Sequence, residues 1–272
     1  MDDVLKRAMA GDINAFQQLF ESFQPQLRSF IYRLVANRAD AEDLTHDTFV
    51  KAFDRIGSFK GASSLKTWVF RIGTNLAKDF LRRRKRWPEN AQDLAKSLAI
   101  GNEDIQEAFW MAHNTSPAGQ YEIREHIDFC FTCIGKTLVI EQQVALILKD
   151  IYQFSVVEIS RILDRSTGVV KHLLIDARKT MSHIFSKRCA LINKEGTCHQ
   201  CTELAGIYNP KQAEQRELLK LEIVKGSKKF DREQLYLMRA ELVRQIDPLR
   251  AAGSDWHEEV MHCTRLAIGE VV

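Results

Sequence analysis

Apolar residues along the chain recur at intervals of three and four rather than two, so the pattern predicts helices throughout and no strand. Asp12 is placed to cap a helix whose apolar stripe is Ile13, Phe16, Leu19, Phe20 and Phe23. Pro25 suits the first turn of a second helix carrying Leu27, Phe30, Ile31 and Leu34. After a turn at Asn37 and Arg38, Asp40 is expected to cap a third helix with Leu44, Phe49, Phe53 and Ile56 inward. Residues 57–64 break the pattern before a fourth helix expected over 65–86, with Leu65, Trp68, Ile72, Leu76 and Phe80 on one face.

The pattern thins from 87 to 120, where Pro88, Gly101, Pro117 and Gly119 fall, and this stretch reads as an acidic linker with one helical turn near 105–111. Periodicity resumes at Tyr121 and predicts four helices to about Ser186, two of them short and separated by Asp164-Arg165. Beyond lie three amphipathic stretches, 212–224, 232–246 and 255–268. The expected architecture is all-α in four parts: 1–86, a flexible linker over 87–120, a module over 121–186, and a helical extension over 187–272.

Charge sharpens this division. The 272 residues carry a formal net charge of only +3, but residues 1–86 hold +6, 87–122 hold −5, 123–188 hold +3 and 189–272 hold −1. Such alternation suggests separate modules, at least one with a polyanionic partner. No apolar run approaches the roughly 20 residues that span a bilayer. The Met-Asp-Asp start lacks a leader's basic-then-apolar layout, so a cytoplasmic location without membrane insertion is expected. Nowhere does a nucleophile-base pair or phosphate loop announce an enzyme.

The densest chemistry lies between Phe59 and Arg86. Small, donor-bearing residues precede a helix that carries Lys66, Thr67, Arg71, Asn75, Lys78, Arg82 and Arg83 on its polar positions. Single-stranded nucleic acid calls for this mixture: cations for phosphates, aromatic faces for stacking, hydroxyls and amides for base edges. The run Arg82-Arg83-Arg84-Lys85-Arg86 extends the cationic track, although a solvated helix end would look the same. Trp68 fits the apolar stripe as well as it fits a stacking platform. In the second module, Ser155 opens one short helix, Asp164-Arg165 turns, and Ser166 caps the next, the layout of a helix-turn-helix. A generic helical hairpin would satisfy the same pattern.

Taken together, Asp40-Ala41-Glu42-Asp43-Leu44-Thr45-His46-Asp47-Thr48-Phe49, then Phe59-Lys60-Gly61, Ser63-Ser64, Thr67-Trp68, Arg71-Ile72 and the basic run resemble region 2 of the extracytoplasmic-function (ECF) group of sigma-70-type sigma factors. Ile140-Glu141-Gln142-Gln143 followed by the hairpin resembles sigma region 4. The resemblance covers about residues 1–186. It implies a non-enzymatic transcription initiation factor whose partners are core RNA polymerase (β′ clamp helices and β flap), promoter DNA and an anti-sigma factor. For promoter −10 binding it implies Phe59, Lys60, Ser63, Ser64, Lys66, Thr67, Trp68, Arg71, Asn75, Lys78, Arg82 and Arg83, with a flipped base held by the 59–64 loop. For −35 binding the candidates are Arg165, Ser166, Thr167, Lys171, His172 and Arg178, and for the polymerase Asp43, His46, Asp47 and Lys51. The acidic linker would thread the polymerase's RNA path. Where the family commonly continues with arginines after the Val-Lys pair, this chain has Leu173, Leu174, Ile175 and Asp176, which weakens the −35 expectation and suits a docking face instead. A sigma-like, signal-responsive interaction protein is the alternative.

Six cysteines cluster as Cys130-x2-Cys133 and as Cys189, Cys198 and Cys201, with Cys263 apart. Cys130, Cys133, Cys198 and Cys201 have spacing for a structural zinc that would staple the extension to the second module; a thiol switch and inert buried thiols are the other readings. His257 and His262 lack the His-Glu-x-x-His order of a metalloprotease. The extension is read as a regulatory domain.

Overall fold

The computed structural model describes residues 3–84, 86–115, 123–189, 222–226, 228–251 and 254–270. Among them every regular element is helical, as the periodicity predicts. They divide into two compact units: residues 1–84 with 140–174, and residues 85–139 with 175–272.

The first unit begins with α1 (Asp3–Met9) and α2 (Ile13–Glu21). Asp12 caps α2 as expected, accepting from the backbone N–H groups of Asn14 and Ala15, while Arg7 pairs with the same carboxylate at 2.6 Å. Phe16 and Phe20 are buried and meet Phe49, whereas Ile13 is exposed and falls outside the expected stripe. In α3 (Gln24–Val35) Pro25 stands in the first turn, and Leu27, Phe30, Ile31 and Leu34 are all buried. Next comes α4 (Arg38–Arg55). Its cap is Asn37, three residues before Asp40: the Asn37 side chain accepts from the Asp40 N–H, and Asp40 pairs with Arg84 at 3.1 Å instead.

Leu65–Leu81 form α5, which is shorter than the expected 65–86. Its inward positions are Thr67, Val69, Phe70, Gly73, Thr74 and Ala77, while Leu65, Trp68, Ile72, Leu76 and Phe80 are only half-buried. The reason is steric. A Cβ on Gly73 would lie 3.1 Å from Leu27 and 3.2 Å from the Thr48 hydroxyl, so α3, α4 and α5 approach closest where α5 has no side chain.

The rest of this unit is a hairpin from the second module. In it α9 (Ile140–Leu146) runs into a π-helical turn over Ile147–Ile151, followed by α10 (Val156–Leu163) and the first turns of α11 (Thr167–Arg188). Ser155 and Glu158 form a reciprocal capping box, Asp164 turns in the left-handed region at φ 57°, and the Ser166 hydroxyl accepts from the Val169 N–H at 3.3 Å. The predicted helix-turn-helix geometry is therefore present. Its apolar side packs on α3 and α5: Phe154 lies 4.9 Å from Phe70, Tyr152 lies 6.1 Å from Phe30, and the Gln143 amide donates to the Arg33 carbonyl.

The second unit corrects the linker expectation. Residues 87–120 contain α6 (Ala91–Ile100) and α7 (Glu103–Thr115), both packed on the helix Ser254–Ala267. Ala91, Ala95 and Ala99 make the buried face of α6, and Cys263 donates its S–H to the Ala95 carbonyl at 3.3 Å. Trp87 is buried at the start, its indole N–H donating to Glu270 at 3.1 Å. In the same unit α8 (Ile123–Gly135) meets Arg232–Arg244 through Phe131 and Tyr236, and Phe129 stacks on His257 at 4.9 Å. The extension and the supposed linker thus fold together, and the 121–186 module is divided between the units.

Candidate nucleic-acid interface

The site is built where the 59–64 loop turns into α5. Ser64 caps α5, its hydroxyl accepting from the Thr67 N–H at 3.1 Å and lying 2.8 Å from the Thr67 hydroxyl. Gly61, at φ +67°, allows the loop to fold back. A recess of about 290 Å³ results, with Phe59 and Trp68 forming its apolar side, 5.5 Å apart and inclined by 56°. Lys60, Ser63, Thr67 and Arg71 supply its cationic and hydroxyl edge, joined by Arg161 from α10. An aromatic pair beside three cations and hydroxyl groups is suited to a planar, polar ring attached to an anion.

Of the predicted −10 residues, the recess gathers Phe59, Lys60, Ser63, Thr67, Trp68 and Arg71, with Ser64 as the cap beneath it. Trp68 is half-buried, between the core and stacking readings. Asn75 and Arg83 are exposed, and Arg82 pairs with Asp79 at 2.8 Å. Lys78 donates to Glu141 at 3.1 Å, and Lys66 lies 4.9 Å above the Phe154 ring. Burial pushes the Lys66 pKa down, partly countered by the Glu158 charge.

Asp43, His46, Asp47 and Lys51 lie together on the exposed side of α4, the free stripe that polymerase contact would need. The −35 candidates divide. Thr167, Lys171 and His172 are exposed and Ser166 serves as cap, but Arg165 is tied to Glu141 at 2.9 Å. Arg178 is half-buried and belongs to the other unit. Leu174 is buried in the hairpin core, leaving Ile175 and Asp176 exposed where family arginines are expected.

Four groups at this site escaped the sequence reading: Glu141, Glu158, Arg161 and Asp164. Burial would raise both glutamates, but Lys78 and Arg165 hold Glu141 below its usual range, and Ser155, Thr67 and Lys66 do the same for Glu158. Nothing local signals these partners, because they stand 63 and 91 residues away from Lys78 and Thr67.

The zinc expectation gains no support. Cys198 and Cys201 lie outside the described residues; Cys133 is buried, and Cys130 is 3.7 Å from the His126 ring nitrogen. Among the described residues no three histidine, cysteine or carboxylate groups gather to hold a metal. Likewise, no described helix is long and apolar enough to cross a membrane.

Comparison with known proteins agrees with this geometry. Residues 19–87 match the Sigma-70 region 2 family. The chain is 27% identical over 180 residues to the ECF RNA polymerase sigma-E factor of Haemophilus influenzae, covering 66% of this chain and 92% of that protein. It is 28% identical over 183 residues to the sigma-E factor of Escherichia coli K12, covering 67% and 93%. Among solved structures it is similar to CnrH in complex with the cytosolic domain of CnrY, with a TM-score of 0.47 and 20% identity over 67% of this chain and 94% of that one. It is also similar to RpoE in complex with the anti-sigma factor NepR from Bartonella quintana, with a TM-score of 0.44 and 23% identity over 62% and 96%. Residues 19–87, whose helices carry the aromatic and cationic recess, are thus similar to sigma-70 region 2. Over about two thirds of its length the chain is similar to ECF sigma-E factors.

Proposed function

We propose that this chain is an RNA polymerase sigma factor that directs promoter recognition, holding one unstacked base of the melted −10 strand in the Phe59–Trp68 recess while α5 carries the strand's phosphates. The observation that carries this reading is the recess itself, in which Lys60, Arg71 and the Ser63 hydroxyl line an aromatic pair. Unstacking a base costs a few kcal/mol, which aromatic stacking at about 1–3 kcal/mol per base and the adjoining cations can offset. On this reading the polar stripe of α4 meets the polymerase clamp helices, and Arg165, Ser166, Thr167, Lys171 and His172 face the −35 duplex.

The test is run-off transcription by core RNA polymerase and the full-length chain on a promoter library. Transcripts sharing upstream elements are expected, and Trp68→Ala should cut them at least tenfold while leaving polymerase association intact. Association without any transcript from the unaltered chain would replace this reading with a sigma-like interaction protein. Exposed Ile175 and Asp176 on the recognition helix favour that second reading. For the 187–272 extension a regulatory role is inferred. Testing it needs substitutions, because a cut after Ser186 would divide the second unit.

A further inference from the structure

In the second unit a single helical turn, Glu222–Lys225, is followed by a tight connection into the helix Arg232–Arg244. The Gly226 carbonyl accepts from the N–H groups of both Lys229 and Phe230, at 2.7 and 3.2 Å, and a Cβ on Gly226 would overlap the Phe230 ring. Phe230 in turn packs on the buried pair Ile223 and Leu235, so the connection is closed and pinned from beneath. Its outer side carries Lys225, Lys228, Lys229 and Arg232, all exposed. Lys225 lies 3.6 Å from Glu222, whereas Lys228, Lys229 and Arg232 have no carboxylate within 4.0 Å among the described residues. Elsewhere in this unit Lys187, Arg188, Arg244, Arg250 and Arg265 each pair with a carboxylate. Of the acidic neighbours in the chain, Asp231 is engaged as the helix cap, accepting from the Gln234 N–H, and Glu233 is exposed.

We propose that the turn carrying Lys228, Lys229 and Arg232 is a sequence-independent contact for duplex DNA, through which the 187–272 extension holds the phosphate backbone. Three unpaired cations on one pinned turn can each replace a counterion at a phosphate, and the flexible lysine stems can follow the backbone. No base is read there, because phosphate contacts fix position without carrying sequence. Single-stranded nucleic acid is served less well: Phe230, the turn's aromatic ring, lies against Gly226 and the core and offers no stacking platform. An acidic protein partner would need an apolar centre inside the charged rim, whereas the exposed residues over 228–234 are all charged or amide. This contact is separate from the α5 recess, and the −10 reading can fail and leave it standing.

The contact is tested by fluorescence anisotropy with a labelled DNA duplex of randomised sequence, titrated from about 50 to about 200 mM salt. The full chain is compared with K228Q/K229Q and with K187Q/R250Q, which loses the same charge at exposed cations that already have carboxylate partners. All four side chains are exposed, so neither variant endangers the fold. Each phosphate contact adds about 0.9 to the salt slope, so over this range the unaltered chain should lose about twelvefold more affinity than K228Q/K229Q. At the low-salt end that variant should bind about tenfold more weakly, while K187Q/R250Q follows the unaltered chain. Equal slopes for K228Q/K229Q and the unaltered chain would overturn the contact. An equal loss in K187Q/R250Q would also overturn it, because net charge alone would then explain the effect. So would absence of duplex binding by the unaltered chain at low salt, or tighter binding of single-stranded DNA or RNA weakened in the same way by K228Q/K229Q. The duplex needs no −10 element, and run-off transcription reads the recess, so the two proposals fail separately.

Discussion

The two units join distant parts of the chain by different means. In the first, residues 140–174 sit on α5 through an aromatic contact, Phe70 with Phe154, surrounded by charge pairs that water reaches: Arg71 with Asp164, and Lys78 and Arg165 with Glu141. In the second, residues 87–100 meet 254–270 through buried groups. Trp87 is 1% exposed with its indole on Glu270, Cys263 lies under Ala95, and His257 is enclosed against Phe129 and His126. Water-accessible pairs can exchange for another anion at little cost, whereas opening the buried set would expose the Trp87 ring and the alanine face of α6 to water. Both junctions therefore have a buried core, Phe154 in the first and Trp87 in the second, and the first adds pairs that salt can weaken.

The largest effect should come from breaking the second junction. Trp87→Ala removes a fully buried ring and the donor to Glu270, at a cost of about 3–5 kcal/mol. Trp87→Phe keeps most of the packing and should cost roughly 1–3 kcal/mol for the lost indole donor to Glu270. Hydrogen exchange should then quicken over 91–115 and 254–267 while 24–81 keep their protection. Equal loss across both sets would mean that the units melt as one, and the contrast drawn above would fall.

Acid should separate the units more gently. Burial drives His126 down to about 4, and burial together with the His126 charge drives His257 to about 3. The unfolded chain has histidine pKa values near 6.5, so between there and the folded values the unfolded state binds protons that the native state does not. Stability from these groups is whole above about pH 6.5 and falls as pH drops, by about 2 kcal/mol from His126 at pH 5. Glu141 and Glu158, with depressed pKa values, give up their contribution only below their unfolded range near 4.5. At pH 5 the second unit should therefore weaken in urea while the first does not. The variant H126F/H257F should flatten the pH dependence.

The same contrast explains what could be read in advance. Asp12, Pro25, the Ser155 cap and the Asp164 turn were legible because each acts on backbone within four residues of itself. Asn37 and Asp40 are both good caps, and only the backbone, extended at Asn37 and helical after it, chooses between them. The stripe of α5 was misplaced because its true inner face uses Gly73, Thr74 and Ala77, residues that no hydrophobic pattern emphasises. For α6 the same holds: Ala91, Ala95 and Ala99 look bland, and acidic neighbours disguise them as a linker. The residues lining the recess stood out because stacking and phosphate contact, the role proposed for them, need particular residue types. Its carboxylate partners were not, since Glu141 and Glu158 become informative only once the chain has folded back over 63 and 91 residues.

The smallest expected effect concerns the charge pairs of the first junction. Lys78→Met keeps the aliphatic stem of a side chain only 15% exposed and removes the charge that faces Glu141. Arg165 remains on that carboxylate at 2.9 Å, so the pair is lost without leaving Glu141 unpaired, and the cost should stay at or below about 1 kcal/mol. In urea the midpoint of the first unit should shift slightly at low salt, and the shift should shrink as ionic strength rises and screening weakens the remaining exposed pairs. A loss of several kcal/mol would place Lys78 in a buried network and make the hairpin a fixed part of the fold. A small, salt-sensitive loss leaves the hairpin's stability with the buried contacts of Phe154, Tyr152 and Gln143.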